Sequence, residues 1–296
     1  MTEMETQNID LFGNPIVEKG DLKKKYGANP FTILDTKDGK WQARKRKWIN
    51  LGIKSEIGRD AKAYHMANYQ EKFGQQPKTD TSVFDPVLCE IMYRWYCCDG
   101  GSILDPFAGG SVRGIVANYL GYKYTGIDIR QEQVDSDREQ AMQILSVDNQ
   151  PQWYCGDSNE VLNNQWNRQF DMVFTCPPYA NLEVYSDLPG DISNMDYDDF
   201  LACFGSIMQK SCRLLKNGGM AIVVIGEVRD KKGNYLGLVP DTINILRKCK
   251  DMYYYNEAVL STPIGTAMLR ADNNMIRGNG KLVRVHQNIV MFKKAV

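Results

Sequence analysis

From Asp80 to the end of the chain, short apolar runs alternate with longer segments that have the periodicity of helices. The run Met220–Ile225 is apolar at every position, which is typical of a strand buried on both faces of a parallel sheet. Regular alternation of such strands with helices predicts an α/β fold, a doubly wound, mostly parallel sheet covered by helices on both faces. The other predicted strands are Ser102–Asp105, Tyr124–Ile129, Pro151–Cys155, Phe170–Thr175 and an antiparallel C-terminal pair, Tyr254–Leu260 and Gln287–Phe292. The predicted helices are Phe84–Met92, Arg113–Leu120, Gln131–Leu145, Ser158–Leu162, Tyr197–Leu215 and Pro240–Cys249.

The charge of the chain is balanced, and its polarity changes along its length. Among 296 residues there are 36 Lys and Arg against 36 Asp and Glu, so the formal net charge is zero. Net charge therefore gives no sign of a polyanionic partner, which would require cations to be segregated on the surface. Residues 1–79 are polar and lack long periodic patterns. We expect an N-terminal segment at 1–79 followed by a folded domain at 80–296.

The cysteines and histidines argue against a metal site. The eight cysteines include no Cys-x-x-Cys pair, and the chain has two histidines. Most of the cysteines lie in apolar stretches, as in a reduced cytosolic protein. The start of the chain, Met1–Asn14, lacks the basic and apolar parts of a secretory signal, and no run is long enough to span a membrane. We expect a cytoplasmic protein without a metal and without a membrane partner.

One basic segment stands out in the N-terminal part. Lys40–Trp48 combines five cations with two tryptophans, and Trp41 and Trp48 are seven residues apart, so on a helix they share a face. The segment could be a solvated helix that the tryptophans anchor to the body of the protein. We favour contact with a phosphate backbone, in which Arg and Lys neutralise the charge. The residues predicted to make this contact are Lys40, Trp41, Arg44, Lys45, Arg46 and Lys47.

The loop Leu104–Ser111 follows a predicted strand, precedes a predicted helix and contains Gly109 and Gly110. Glycines at such a turn let the backbone approach a ligand closely. About 20 residues further on, Asp128 ends the next strand, where an acidic residue of a Rossmann-like fold bonds a ribose diol. The loop lacks the pattern of a phosphate loop, and Asp105 would repel a phosphate but accept a bond from an ammonium group. The ligand is therefore closer to S-adenosylmethionine than to a dinucleotide.

The tetrapeptide Cys176-Pro177-Pro178-Tyr179 follows the predicted strand that ends at Thr175. The prolines have a fixed φ and no N–H, so they hold a carbonyl group rigidly and leave its oxygen free to accept a hydrogen bond. Tyr179 offers a flat ring against which an extruded base can stack. The same residues would also suit an ordinary turn after a buried strand.

Together, these two motifs resemble those of the N4-cytosine/N6-adenine DNA methyltransferases, a phage and bacterial family that depends on S-adenosylmethionine. The resemblance covers roughly Ser82 to Val296. It implies methyl transfer to the exocyclic amino group of a base flipped out of double-stranded DNA, cytosine N4 being favoured over adenine N6. It also implies a role in restriction–modification in a bacterial or phage-infected cell, and it leaves a homodimer open. By that likeness the cofactor-binding residues are Phe84, Asp85, Asp105, Pro106, Phe107, Gly109, Gly110, Ser111, Asp128, Ile129, Asp157 and Ser158, and the catalytic residues are Cys176, Pro177, Pro178 and Tyr179.

The chain departs from this family at Cys176, where the family has Asp, Asn or Ser. A thiol accepts a hydrogen bond weakly, so the Pro177 carbonyl would do more of the polarising. By shape, Cys176 is nearest to the Ser version, which is associated with cytosine N4.

Three alternatives remain at this stage. Cys176 could be the nucleophile of a cytosine carbon-5 methyltransferase, with Glu227 as the residue that contacts the ring. The Pro-Cys-Gln and Glu-Asn-Val motifs of those enzymes are absent. The acceptor could instead be RNA or a protein side chain, or the chain could bind its cofactor without turnover.

A long polar connection, Thr262–Lys281, precedes the last strand, and we expect its cations Arg270, Arg277 and Lys281 to approach DNA. Tyr185 is a further candidate for stacking on the base.

Overall fold

The computed structural model describes residues 22–53, 84–163, 166, 169–179, 186–262, 267–276 and 280–296. The strands are Ile33–Asp35 (β1), Ser102–Asp105 (β2), Lys123–Asp128 (β3), Gln152–Cys155 (β4), Phe170–Thr175 (β5), Leu215–Ile225 (β6), Met252–Ser261 (β7) and His286–Lys294 (β8). The helices are Leu22–Tyr26 (α1), Gly39–Asn50 (α2), Pro86–Tyr96 (α3), Val112–Tyr119 (α4), Gln131–Ile144 (α5), Ser158–Val161 (α6), Tyr197–Arg213 (α7), Leu238–Arg247 (α8) and Ala267–Ile276 (α9). Short 3-10 turns lie at Val147–Asn149 and Ile192–Asn194.

All the described strands belong to one sheet, in the order β1-β7-β8-β6-β5-β2-β3-β4. Neighbouring strands are parallel except at β8, which is antiparallel to both β6 and β7. The fold is therefore a Rossmann-like, mostly parallel α/β sheet. The predicted fold class is confirmed, including its antiparallel C-terminal pair.

Strand β6 is apolar at every position from Met220 to Ile225 because both of its faces are buried. Met220, Ile222 and Val224 pack into the hydrophobic cluster that includes α2, α3 and α4. The alternate residues Ala221, Val223 and Ile225 pack into the cluster that includes α7 and α8. Successive side chains of a strand point to opposite faces, so a sheet with helices on both sides requires apolar residues at every position.

The order of the strands reverses next to β2. The chain runs from β2 outward to β3 and β4, and then returns to form β5 on the other side of β2. In open α/β sheets, ligands bind in the crevice outside the carboxyl ends of the strands at such a switch point. Here those ends are Asp105 and Thr175, which directly precede the two loops predicted to carry the chemistry.

Several predicted boundaries differ from the observed ones, and one of them places a residue in the wrong kind of element. The helix predicted to continue to Leu215 ends at Arg213, and Leu215 already belongs to β6. Between Leu215 and Met220 the register against β5 shifts, and Gly218 in this segment has φ +76°. The glycine-containing segment therefore forms a bulge at the start of β6, where extra residues are accommodated beside a shorter partner strand.

The described part of the N-terminal segment shares this sheet and its core. Strand β1 pairs with β7 in parallel, with Leu34 opposite Leu260. Helix α2 packs on α3, and its two tryptophans are buried in the core. The predicted boundary after residue 79 lies outside the described residues.

Candidate functional site

A cavity of about 560 Å³ runs along the carboxyl ends of the strands at the switch point. Both predicted loops, one after β2 and one after β5, form part of its wall. The structure thus brings most of the predicted site residues to one place. The predicted cofactor-binding and catalytic residues that line the cavity are Phe84, Asp85, Pro106, Phe107, Gly109, Gly110, Asp128, Ile129, Asp157, Ser158, Cys176, Pro177, Pro178 and Tyr179. Lys45, which was predicted to contact DNA, also lines it.

At one end of the cavity, two carboxylates lie at the carboxyl ends of the neighbouring strands β3 and β4. Asp128 accepts hydrogen bonds from the backbone N–H of Gly109 at 2.9 Å and of Arg130 at 2.9 Å, so it ties the glycine loop to the end of β3. Gly109 has φ +50°, a left-handed conformation that glycine adopts without strain. Asp157 follows β4 and caps α6 by accepting from the N–H of Asn159 at 2.8 Å. This end of the cavity combines fixed acceptors with closely approaching backbone.

Asp105 lies behind the cavity wall. Its carboxylate is fully buried and accepts from Arg113 Nε at 2.5 Å, Tyr124 Oη at 2.7 Å and Thr175 Oγ1 at 2.6 Å. These donors come from α4, β3 and β5, so the carboxylate cross-links the switch point. The three donors are all protein groups, and Asp105 does not line the cavity. Ser111 is also buried, and its hydroxyl is bonded to the side chain of Gln140 instead.

Asp85 joins the N-terminal segment to the cavity. One of its oxygens caps α3 by accepting from the N–H of Val87 at 2.9 Å. The other accepts from Trp41 Nε1 at 3.3 Å and from Lys45 Nζ at 3.1 Å. The neighbouring Phe84 ring lies 4.6 Å from the Arg113 guanidinium, a cation–π distance.

At the other end of the cavity, Tyr179 is held from two sides. Gln287 on β8 donates from Nε2 to Tyr179 Oη at 2.7 Å, and the Cys176 Sγ lies 3.8 Å from the same hydroxyl. The Tyr179 ring also packs so closely on Gly226 that an added Cβ there would lie 3.0 Å from Tyr179 Cε2. The aromatic face next to Cys176 is therefore preset by β8 and by the loop after β6.

The carboxylate of Glu227 lies at the start of a helix and not at the predicted catalytic position. It does not line the cavity. Its Oε1 accepts from the N–H of Gly237 at 2.9 Å and of Leu238 at 2.8 Å, at the start of α8. A carboxylate at a helix N-terminus satisfies donors that have no partner within the helix and interacts favourably with the helix dipole. Glu227 is thus a helix cap.

The residues predicted to contact DNA divide into two groups. Trp41 is buried, Lys45 pairs with Asp85, and Arg44 pairs with Glu90 at 3.0 Å, so this side of α2 faces the protein. The others that the structure describes lie at the surface: Lys40, Arg46, Lys47 and Arg270 are exposed, and Lys281 is half-buried. Arg277 and Tyr185 lie outside the described residues.

Sequence reasoning missed several residues of the cavity wall. Arg113 could have been suspected, because it is a lone cation in the first turn of the helix that follows the glycine loop. The others come from distant parts of the chain, and no local motif marks them. The further lining residues include Thr36, Lys37, Gln42, Arg130, Gly190, Asp191, Ile192, Leu260, Thr262 and Gln287.

Two features are absent from the described part of the chain. No helix there is long and apolar enough to cross a membrane. Nor do those residues contain a group of three or more His, Cys, Asp or Glu side chains placed to hold a metal ion.

No protein-family model and no curated protein matches this chain, whereas many solved structures do. TrmN from Thermus thermophilus is 14% identical, with a TM-score of 0.47, over 71% of this chain and 49% of that one, so the chain spans about half of its length. A magnesium protoporphyrin IX methyltransferase from Synechocystis, solved with bound S-adenosylmethionine, is 12% identical with a TM-score of 0.47 over 82% and 98% of the two chains. A second Thermus thermophilus protein, described as a DNA modification methylase, is 21% identical with a TM-score of 0.35 over 47% and 51%. These neighbours differ in what they are named for, and none of them indicates the methyl acceptor of this chain.

Proposed function

We propose that the chain is an S-adenosylmethionine-dependent DNA methyltransferase that modifies the exocyclic amino group of a flipped base, cytosine N4 being favoured over adenine N6. One observation carries the proposal. The loop with Gly109 and Gly110 and the loop with Pro177 and Pro178 flank the switch point of the sheet and line a single cavity. A methyl donor bound at one loop would therefore lie beside an acceptor bound at the other.

The residues at the β3–β4 end suit S-adenosylmethionine. Asp128 and Asp157 would accept from the ribose diol and the adenine amino group, and Phe107 and Ile129 add apolar wall. The two carboxylates disfavour a ligand with phosphates and favour one that carries a sulfonium and an ammonium group. When bound, this cofactor supplies an electrophilic methyl group.

The residues at the other end suit a planar base with an amino group. The Pro177 carbonyl, held by the fixed proline φ, would accept the amino N–H and draw the nitrogen lone pair out of ring conjugation. Tyr179, held through its hydroxyl by Gln287, would stack on the ring. Cys176 lines the same wall and is a weak acceptor. The chemistry proposed here is positioning and polarisation of the acceptor nitrogen.

The cavity volume lies in the usual range of ligand pockets. Ligand pockets commonly measure about 300–1,000 Å³, and this one measures about 560 Å³. The exposed cations Lys40, Arg46, Lys47 and Arg270 are proposed to contact the phosphate backbone of double-stranded DNA. The Glu227 carboxylate caps α8 and does not line the cavity, which argues against the carbon-5 alternative.

The test is mass spectrometry of nucleosides from duplex DNA incubated with the protein and deuteromethyl S-adenosylmethionine. We expect label in N4-methylcytosine, with N6-methyladenine as the second outcome of the same mechanism. Label in 5-methylcytosine would contradict amino methylation, and label that appears only in RNA or protein would contradict DNA as the acceptor.

The variant Cys176→Ser separates the two roles of the cysteine. A hydroxyl accepts a hydrogen bond better than a thiol, so amino methylation should persist at a rate within about tenfold of the wild type. A carbon-5 enzyme would lose its nucleophile and its activity. Cys155→Ser, at an exposed cysteine that does not line the cavity, is the matched control.

A further inference from the structure

An ion pair between the N-terminal segment and the start of α3 lies in the wall of the cavity. Lys45 Nζ donates to Asp85 Oδ2 at 3.1 Å, and both residues line the cavity. The side chain of Asp85 is 9% exposed and that of Lys45 is 29% exposed. The two charges therefore face the cavity while most of their surface is withdrawn from bulk solvent.

The packing around Phe84 shows which part of the cavity the pair faces. The Arg113 Cζ lies 4.6 Å from the centre of the Phe84 ring, and the ring of Phe174 in β5 lies 5.8 Å from it. Arg113 Nη2 in turn donates to the carbonyl oxygen of Phe107 in the glycine loop. Asp85 directly follows Phe84 in the chain, so the pair lies between the glycine loop and the end of β5.

Lys45 is the lining cation best placed to bind an anionic group at this point. The described lining residues include four Lys and Arg side chains. Arg113 is buried and paired with Asp105, and Arg130 is 8% exposed and bonded to a neighbouring glutamine. Lys37 is exposed and follows β1, the edge strand of the sheet. Lys45 alone among these four forms an ion pair with an acid that also lines the cavity.

The proposed methyl donor carries a complementary pair of charges. The amino acid group of S-adenosylmethionine has one carboxylate and one ammonium, and it is attached at the sulfonium. With the adenosine at Asp128 and Asp157 and the methyl group directed towards the loop of Cys176, the amino acid group lies between the two loops. This is the part of the cavity that the Lys45–Asp85 pair faces.

We infer that Lys45 binds the carboxylate of the methyl donor and that Asp85 binds its ammonium group. Each of the four charges then has opposite charges beside it, and charge-assisted hydrogen bonds form without leaving a buried charge unpaired. Trp41 Nε1 and the N–H of Val87 also donate to the Asp85 carboxylate, at 3.3 and 2.9 Å, and hold it in place. These roles depend on the S-adenosylmethionine half of the proposed function and hold for any methyl acceptor.

Calorimetry without DNA tests these roles with three ligands that share the adenosine part. They are S-adenosylhomocysteine, its analogue that lacks only the carboxylate, and methylthioadenosine, which lacks the whole amino acid group. Lys45→Met should weaken the binding of S-adenosylhomocysteine by about tenfold, and it should not weaken the binding of the other two. Asp85→Asn should weaken by about tenfold the two ligands that carry the ammonium group, and it should leave methylthioadenosine unchanged.

The matched control is Lys216→Met. Lys216 belongs to another lysine–aspartate pair, with Asp171, and does not line the cavity, so all three affinities should keep their wild-type values. Methylthioadenosine is the internal control in every variant, because it reports on the adenosine end of the site. A variant that folds poorly would lose affinity for methylthioadenosine as well.

The outcomes separate these roles from the function on which they depend. If none of the three ligands binds the wild type, both the cofactor site and the roles of Lys45 and Asp85 are overturned. If the ligands bind, and Lys45→Met changes all three affinities by the same factor or changes none of them, only the roles of the ion pair are overturned.

Discussion

We expect substitution of Asp105 to lower the stability of the folded protein strongly. It is fully buried and bonded to Arg113, Tyr124 and Thr175. Arg113 is itself 5% exposed, so its charge depends on this partner. Burial by itself would lower the pKa of the Arg113 guanidinium, but the neighbouring Asp105, together with Tyr124 and Cys176, keeps that pKa above its ordinary value. Asp105→Asn keeps the shape and removes the charge.

The expected loss of stability follows from leaving the buried charge of Arg113 without its counterion. Removing one partner of a buried pair costs about 3–5 kcal/mol. Arg113 Nη2 still has the carbonyl oxygens of Phe107 at 2.6 Å and Ala108 at 2.7 Å, which favours the lower end of that range. We expect Asp105→Asn to reduce the free energy of unfolding by about 3 kcal/mol. Thr175→Val removes one hydrogen bond from a hydroxyl to the same charged carboxylate and should cost about 1.5 kcal/mol, the lower end of the range for hydrogen bonds to charged groups.

Urea unfolding measures these losses, with a shift in midpoint at constant slope as the signature of changed stability. The decisive comparison is with the double variant Asp105→Asn/Arg113→Met. If the uncompensated guanidinium is the cause, removing it should make the double variant more stable than Asp105→Asn alone. Additive losses, or equal losses for Asp105→Asn and Thr175→Val, would refute this reasoning.

Three further predictions concern the residues that hold Tyr179 and the pH dependence of stability. Gly226→Ala places a Cβ 3.0 Å from Tyr179 Cε2, so the ring must shift, and we expect kcat to fall by about tenfold with an unchanged urea midpoint, measured by steady-state methylation. Gln287→Leu removes the donor to Tyr179 Oη and should lower kcat more than cofactor affinity, measured by kinetics and calorimetry, and a larger effect on cofactor affinity would contradict the assigned place of Gln287. Burial acts to raise the pKa of Asp171, but hydrogen bonds from Lys216 and others hold it at about 2. Because this folded-state pKa is below the unfolded value near 4, the stabilisation is present above that pH and is lost as the pH falls towards about 2. Unfolding in urea between these values should show a smaller pH dependence for Asp171→Asn than for the wild type.

Much of the fold could be predicted because its signals are local. The apolar run of β6 indicates burial on both faces wherever the strand lies in the sheet, and the observed strand is apolar towards both clusters. The bulge at Leu215–Met220 was predicted as a helix end, since glycines after an amphipathic segment usually mark one. Whether this segment forms a helix cap or a β-bulge depends on how it pairs with β5, and that pairing is not a local property of the sequence.

The candidate site could be predicted only in part. The motifs that follow β2 and β5 are contiguous, so their residues reach the cavity together. Glu227 also follows a strand, but the N–H groups at the start of α8, ten or more residues further along the chain, take its carboxylate. Trp41 and Lys45 were predicted to face DNA, and the carboxylate of Asp85 draws both inward. For each of these residues, a partner that is distant in the chain gives the side chain a contact that differs from the predicted one.

The sequence by itself determined the strands from β2 to β8, most of the helices between them and the two loops at the switch point, because hydrophobic periodicity, glycines and prolines act over a few residues. The tertiary structure alone decided that Asp105 holds Arg113 behind the wall, that Gln287 holds Tyr179, and that the β1–α2 segment completes the cavity. The physical reason is that a buried polar group must find a partner, and the partner is supplied by whichever segment packs there, however far away it lies in the chain.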